Sequence, residues 1–167
     1  MSMLIILGGL PGSGKTTVAR ALAQRIKAVH LRIDSIEEAL ISSGVSNEDI
    51  GPAGYMVAYA LATDNLRLGH AVIADSVNPI EITRAAWRSV ATQAKCKFLE
   101  VEIICSDRAA HQDRVEKREY AIRTVTWQHV VDREYEPWHS AFRIDTAELS
   151  LQESVAAIEQ NLDSKRA

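Results

Sequence analysis

A chain of 167 residues, 47% hydrophobic and 25% charged, is long enough to bury a core and is expected to form one domain. Its formal charge of -3 and its lack of a basic block argue against an obligate nucleic-acid partner, and no apolar run is long enough to span a bilayer. Cys96 and Cys105, the only two cysteines, are too few for a disulfide scaffold and stand in no metal-ligand spacing. Residues 1–10 lack the basic start and long apolar core of a secretion signal, so a cytoplasmic location is expected.

The first predicted element is a strand over 3–7. It runs into Gly9-Leu10-Pro11-Gly12-Ser13-Gly14-Lys15-Thr16, a complete G-x-x-x-x-G-K-[ST] phosphate-binding loop, and Thr17 opens a helical pattern over 17–27. This strand–loop–helix context is the one the motif requires. Glycines let successive amides point into one anion-sized hollow, and the helix adds its positive end. Lys15 is expected at the terminal phosphates of ATP and the Thr16 hydroxyl on Mg2+. A second strand, 28–33, ends at Asp34, where a carboxylate would face the loop across a cleft and orient an acceptor hydroxyl. Asp34 or Ser35 could instead cap the next helix, 36–43; Ser35 is the better cap, with Glu38 completing a capping box, and that leaves Asp34 for chemistry. Residues 44–54 read as a flexible loop. The helix that follows, 53–68, carries Tyr55 and Tyr59 one turn apart, as pocket lining or as packing.

The third strand, 71–74, ends at Asp75, a usual place for a carboxylate that organises Mg2+; the other reading is a helix cap. Asn78, just before Pro79, could touch an acceptor or cap the helix 80–94, which carries Arg84 and a core Trp87. After a fourth strand, 98–104, a charged helix over 108–118 puts Arg114 and Arg118 on one face. They suit adenine stacking and phosphate neutralisation, unless they merely pair with Glu116 and Glu119 on a solvated helix. Arg108 and Arg123 flank them. A second exposed connection, 118–126, leads to a helix over 126–134 anchored by Trp127 and Trp138. A fifth strand, 141–144, leads to Asp145 and Thr146, and a last helix covers 151–162. The five histidines form no ligand spacing. Strands alternating with helices imply an α/β sandwich with a parallel sheet and right-handed crossovers, and ligands collect beyond the carboxyl ends of its strands.

The order of these motifs resembles the small P-loop kinases, nearest the group of zeta toxin, chloramphenicol phosphotransferase and polynucleotide 5'-kinase. The resemblance implies one kinase domain, 1–167, with a five-stranded parallel sheet of order 2-3-1-4-5 and a helical lid at about 107–126. By the same likeness ATP and Mg2+ are the cofactors, with Gly9 to Thr17, Arg114, Arg118, Asp145 and Thr146 on the nucleotide and Thr16 and Asp75 at the metal. Lys15, Asp34 and Arg118 would be catalytic, Asp34 as the acceptor's base. Asp34, Glu37, Tyr55, Tyr59, Asn78 and Arg84 would bound the acceptor. Nucleoside monophosphate kinases carry an arginine where this chain has Glu37, and Gly-Phe-Pro-Arg where it has Ser76-Val77-Asn78-Pro79. At ~4 Å and an effective dielectric of about 20, one such charge contact is worth roughly 4 kcal/mol either way. A small non-anionic hydroxyl compound is therefore the expected acceptor, Arg84 being the nearby cation that opposes this. Polynucleotide 5'-hydroxyl kinase and a nucleotide-binding regulator are the alternatives. Oligomeric state is not legible in the sequence.

Overall fold

A computed structural model of the protein describes residues 2–46, 49–118 and 124–166. Five strands, β1 (Met3–Gly8), β2 (Val29–Arg32), β3 (Ala71–Asp75), β4 (Lys97–Ile104) and β5 (Phe142–Asp145), form one sheet of order β2-β3-β1-β4-β5. Every neighbouring pair is parallel. The helices are α1 (Lys15–Ile26), α2 (Ile33–Ser42), α3 (Ala53–Arg67), α4 (Glu81–Gln93), α5 (Arg108–Glu116), α6 (Trp127–Val131) and α7 (Leu151–Arg166). Central β1 is buried along its whole length, because both faces of the sheet are covered. Met3, Ile5 and Leu7 pack with Val18 and Leu22 of α1 and Val155 and Ile158 of α7. Leu4 and Ile6 pack on the opposite face with Ala58, Ala62 and Leu66 of α3 and Trp87 of α4. An unbroken apolar run is what such a doubly covered strand requires. Among the described residues no helix is long and apolar enough to cross a membrane.

The expected strands appear within a residue or two of their predicted ends. The main departure is α2, which begins at Ile33, directly after β2 and three residues earlier than the periodicity suggests. No loop intervenes: Arg32 occupies the N-cap position in extended conformation with no side-chain cap, and Ile33 drops into the core. Asp34 therefore belongs to the first helical turn, where the helix dipole favours a carboxylate. The capping box from Ser35 does not form. Ser35 lies inside the helix, and its Oγ accepts from Arg32 Nη1 at 3.1 Å. Parts of both connections read as flexible, residues 47–48 and 119–123, lie outside the described residues, as do Glu119 and Arg123.

Candidate active site

The loop 9–16 leaves β1 at its carboxyl end. Gly9, Gly12 and Gly14 all have positive φ, and at all three space as well as conformation favours glycine, a Cβ on Gly9 falling 2.2 Å from the Ile103 carbonyl oxygen. A Cβ on Gly12 would lie 2.5 Å from Val115 Cγ2 of α5, and one on Gly14 would press on Thr146. Helix α5 thus packs directly on the loop. His111 Nε2 of α5 donates to the Pro11 carbonyl at 2.8 Å, and the Thr146 hydroxyl donates to the Ser13 carbonyl at 2.7 Å. The hollow inside is a cavity of about 320 Å3 lined by Gly12, Gly14, Lys15, Thr16 and Thr17, with Arg20, Arg32, Arg114 and Arg118 around them. Five cations about one glycine-lined hollow fit a polyphosphate.

Lys15 is 5% exposed. Burial lowers its ammonium pKa and outweighs the support of Asp75 and Asp34, while Arg118 and Arg32 lower it further. Asp75, at the end of β3, is 1% exposed. Burial pushes its carboxyl up, but the hydrogen bond from His30, the Lys15 ammonium and the neighbouring Thr16 hydroxyl together hold it below the usual carboxylate value. His30 Nε2 donates to Asp75 Oδ2 at 3.0 Å, whereas Oδ1 is buried with no hydrogen-bond partner. An orphaned carboxylate oxygen beside a threonine hydroxyl suits a Mg2+ ion that keeps waters and phosphate oxygens as its other ligands. Among the described residues no group of three or more His, Cys, Asp or Glu is arranged to hold a metal without such help.

Across the cleft lies a second cavity of about 380 Å3. The early start of α2 decides its floor, for Asp34, Glu37, Glu38 and Ile41 follow helical spacing and all line it. Gly54 leaves room for one of them, since a Cβ there would meet Glu37 Cγ at 2.6 Å. Tyr55, Ser76, Thr83 and Arg133 form other parts of the wall, and burial raises the Tyr55 phenol. Asp34 Oδ2 accepts from Arg32 Nη2 at 2.7 Å and has Arg118 Nη2 at 3.8 Å. The two cavities meet at Lys15, Arg32 and Arg118, which line both. Arg114 lies farther along. It donates to the Thr146 hydroxyl at 2.8 Å, and together they border a third hollow of about 290 Å3 with Gly14, Thr17, Val18, Leu149, Leu151 and Ser154.

Four residues expected at the site stand elsewhere. Tyr59 packs its ring edge-on to Trp87 at 4.7 Å, in the core beneath α3, where burial lifts its pKa to about 12. Asn78, fully buried at φ 48°, donates to the Leu7 carbonyl at 2.7 Å and ties the end of β3 to β1. Arg84 is also fully buried. It donates to the carbonyls of Asn78, Pro79, Glu136 and Pro137, with Trp138 stacked at 4.6 Å, so it is a staple between two loops and cannot oppose the acidic wall. Asp145 accepts from the amides of Ser106 and Ala147 and shapes the turn after β5. Sequence reasoning missed Arg20, His30, Arg32, His111 and Arg133. The signal for His30 and Arg32 was present: polar residues alternate with Val29 and Leu31 on one strand, so both project from the same face.

A family model described as an AAA domain matches residues 4–137. No curated protein matches the chain. Among solved structures, the APS kinase CysC of Mycobacterium tuberculosis in complex with AMPPNP and APS superposes with a TM-score of 0.77 at 23% identity, over 97% of this chain and 98% of that one. Kti12 of Chaetomium thermophilum in complex with ADP-AlF3 does so with 0.66 at 22% identity, over 94% and 97%. A gluconokinase from Sinorhizobium meliloti 1021 gives 0.60 at 16% identity, over 98% and 97%. At such identities the likeness is one of fold.

Proposed function

The chain belongs to the AAA domain family, a P-loop kinase family, and from that premise we propose that it transfers the γ-phosphoryl group of ATP to a hydroxyl of a small, non-anionic acceptor. One observation carries this reading. A cationic hollow built on the phosphate loop meets, at Lys15, Arg32 and Arg118, a second cavity with Asp34, Glu37 and Glu38 along its α2 wall, and Asp34 stands on the acceptor side of the junction. In this reading residues 1–167 are one kinase domain with its lid at about 107–126, of the zeta toxin and chloramphenicol phosphotransferase kind, acting in the cytoplasm.

Loop amides, Lys15 and Thr17 bind the phosphates, and Arg114 with Thr146 closes the nucleotide end. Thr16 and Asp75 would hold Mg2+, which when bound supplies charge neutralisation on the phosphate oxygens. Asp34 orients the acceptor hydroxyl and takes its proton as the new O–P bond forms. The bond from Pγ to the bridging oxygen breaks, its electron pair leaves on ADP, and Arg118 stabilises the charge on the transferring group. On the acceptor side, Arg133 faces Asp34, Glu37 and Glu38. Lys15, Arg32 and Arg118 line the cavity as well, and with these three turned to the phosphates the rest of the wall suits a neutral polyhydroxyl compound or an amino alcohol.

The experiment is a panel of hydroxyl compounds incubated with purified protein and Mg·ATP while ADP release is followed. An acceptor that raises release in the native protein, but not in Lys15→Ala, supports the assignment. ATP turnover that no acceptor stimulates would favour the regulator instead.

A further inference from the structure

We propose that Arg32 is a third cation at the point of phosphoryl transfer, its guanidinium holding Asp34 with one edge and the γ-phosphoryl group with the other. This rests on the kinase reading above but is carried by separate observations. Arg32 ends β2 opposite Asp75 of β3 and lines the polyphosphate cavity and the acceptor cavity alike. Among the described residues only Lys15 and Arg118 also line both; Lys15 belongs to the phosphate loop, and Arg118 follows α5, which ends at Glu116 and not at 118 as the sequence suggests.

A guanidinium has five N–H donors in a planar fork. Arg32 places one on Asp34 Oδ2 at 2.7 Å and one on Ser35 Oγ at 3.1 Å. Its Nε is buried with no hydrogen-bond partner, an arrangement that costs stability unless something supplies an acceptor. Its side chain is 13% exposed and lines both cavities together with Lys15 and Arg118. Asp34 stands against two of the three cations at this junction, and a polyphosphate between them would supply the further negative charge. The γ-phosphoryl oxygens satisfy the unused donors as well.

The arrangement also gives Arg32 a role that neither Lys15 nor Arg118 has. As the acceptor's proton passes to Asp34 and the electron pair of the broken Pγ–O bond passes to ADP, one rigid fork spans the base and the migrating group. Occupancy by γ-phosphate then fixes the direction in which the base points. Arg32 reads the third phosphate, so it should distinguish ATP from ADP.

Calorimetric binding of Mg·ADP and of the Mg complex of the β,γ-imido analogue of ATP, without acceptor, tests this in native protein, Arg32→Gln and Arg32→Lys. In Arg32→Gln, affinity for the triphosphate analogue should fall roughly tenfold or more while affinity for ADP changes less than about twofold. Arg32→Lys keeps the charge but not the fork. Should the Gln variant fold poorly, the Lys variant should still lose about fivefold in the ratio of the two affinities. Equal losses for both nucleotides, or an unchanged ratio in the folded variants, would overturn the inference. Native protein that binds neither nucleotide would remove the kinase reading, and the inference with it.

Discussion

Replacing Asp34 by Asn changes almost nothing but basicity, and it isolates the step on which the catalytic account turns. The amide keeps the size of the carboxylate and leaves Arg32 Nη2 an oxygen to donate to. The ion pair it loses is weak, since the Asp34 side chain is 47% exposed and pairs of that kind contribute about 0–1 kcal/mol. Loss of a charge in the first turn of α2 adds about 0.3–1 kcal/mol. Together these come to at most ~2 kcal/mol, a fall in melting temperature of no more than about 8 °C for a chain of this length. Catalysis should suffer far more. A positioned base contributes about 10²–10⁴-fold, so kcat should fall at least a hundredfold, ~2.7 kcal/mol in activation free energy. Nucleotide affinity should stay within a few-fold of native. Coupled ADP release at saturating acceptor gives kcat, and calorimetry gives the affinity. A variant that turns over within about twofold of native would refute the assignment of Asp34, and so would one that loses ATP binding along with its rate.

Three further outcomes follow from individual contacts. Gly12→Ala puts a methyl 2.5 Å from Val115 Cγ2 at a positive φ, so nucleotide binding should be lost and the melting temperature lowered, as calorimetry and thermal denaturation would record. Arg84→Ala takes the guanidinium donor from the carbonyls of Asn78, Glu136 and Pro137, that of Pro79 keeping the Glu136 amide, and empties a site against Trp138. It should cost about 3–5 kcal/mol in urea denaturation, about 1–3 kcal/mol for each buried carbonyl left unsatisfied, whereas an acceptor-binding arginine would raise acceptor KM and spare stability. The Asp75 carboxyl titrates in the folded protein below its ordinary value of 3.8. Its contribution is complete above roughly pH 4 and is lost as the pH falls through the folded value; urea melts between pH 3 and 7 should show a shallower acid decline in Asp75→Asn than in native protein.

The residues differ in how openly the sequence declares them. The phosphate loop and five strands are legible because a doubly covered parallel sheet needs unbroken apolar runs, and because a glycine-rich curl has few other uses. Asp34 and Asp75 are legible from their positions after β2 and β3. The sequence misleads where a polar side chain is buried for structural reasons. Arg84 looks like an exposed helical cation until Asn78, Pro79, Glu136 and Pro137, from two distant loops, bring their carbonyls around it. Asn78 likewise resembles a helix cap, yet its left-handed backbone turns its amide toward Leu7. Arg32 and His30 were passed over because an edge strand tolerates polar residues for many reasons. Only pairing with β3 sets them opposite Asp75 and Ile73 and brings His30 within reach of the Asp75 carboxylate. The early start of α2 escaped notice because no loop residue marks it, and it is this start that aligns Asp34, Glu37 and Glu38 along one wall.

The most direct test of a hydroxyl acceptor facing ATP across this junction is ³¹P NMR of the protein with Mg·ATP and a panel of neutral polyols and amino alcohols. The account predicts a phosphomonoester resonance that grows with ADP for one class of acceptor and is absent with Asp34→Asn. Conversion of ATP to ADP and inorganic phosphate alone, at the same rate in both proteins whatever the acceptor, would contradict it.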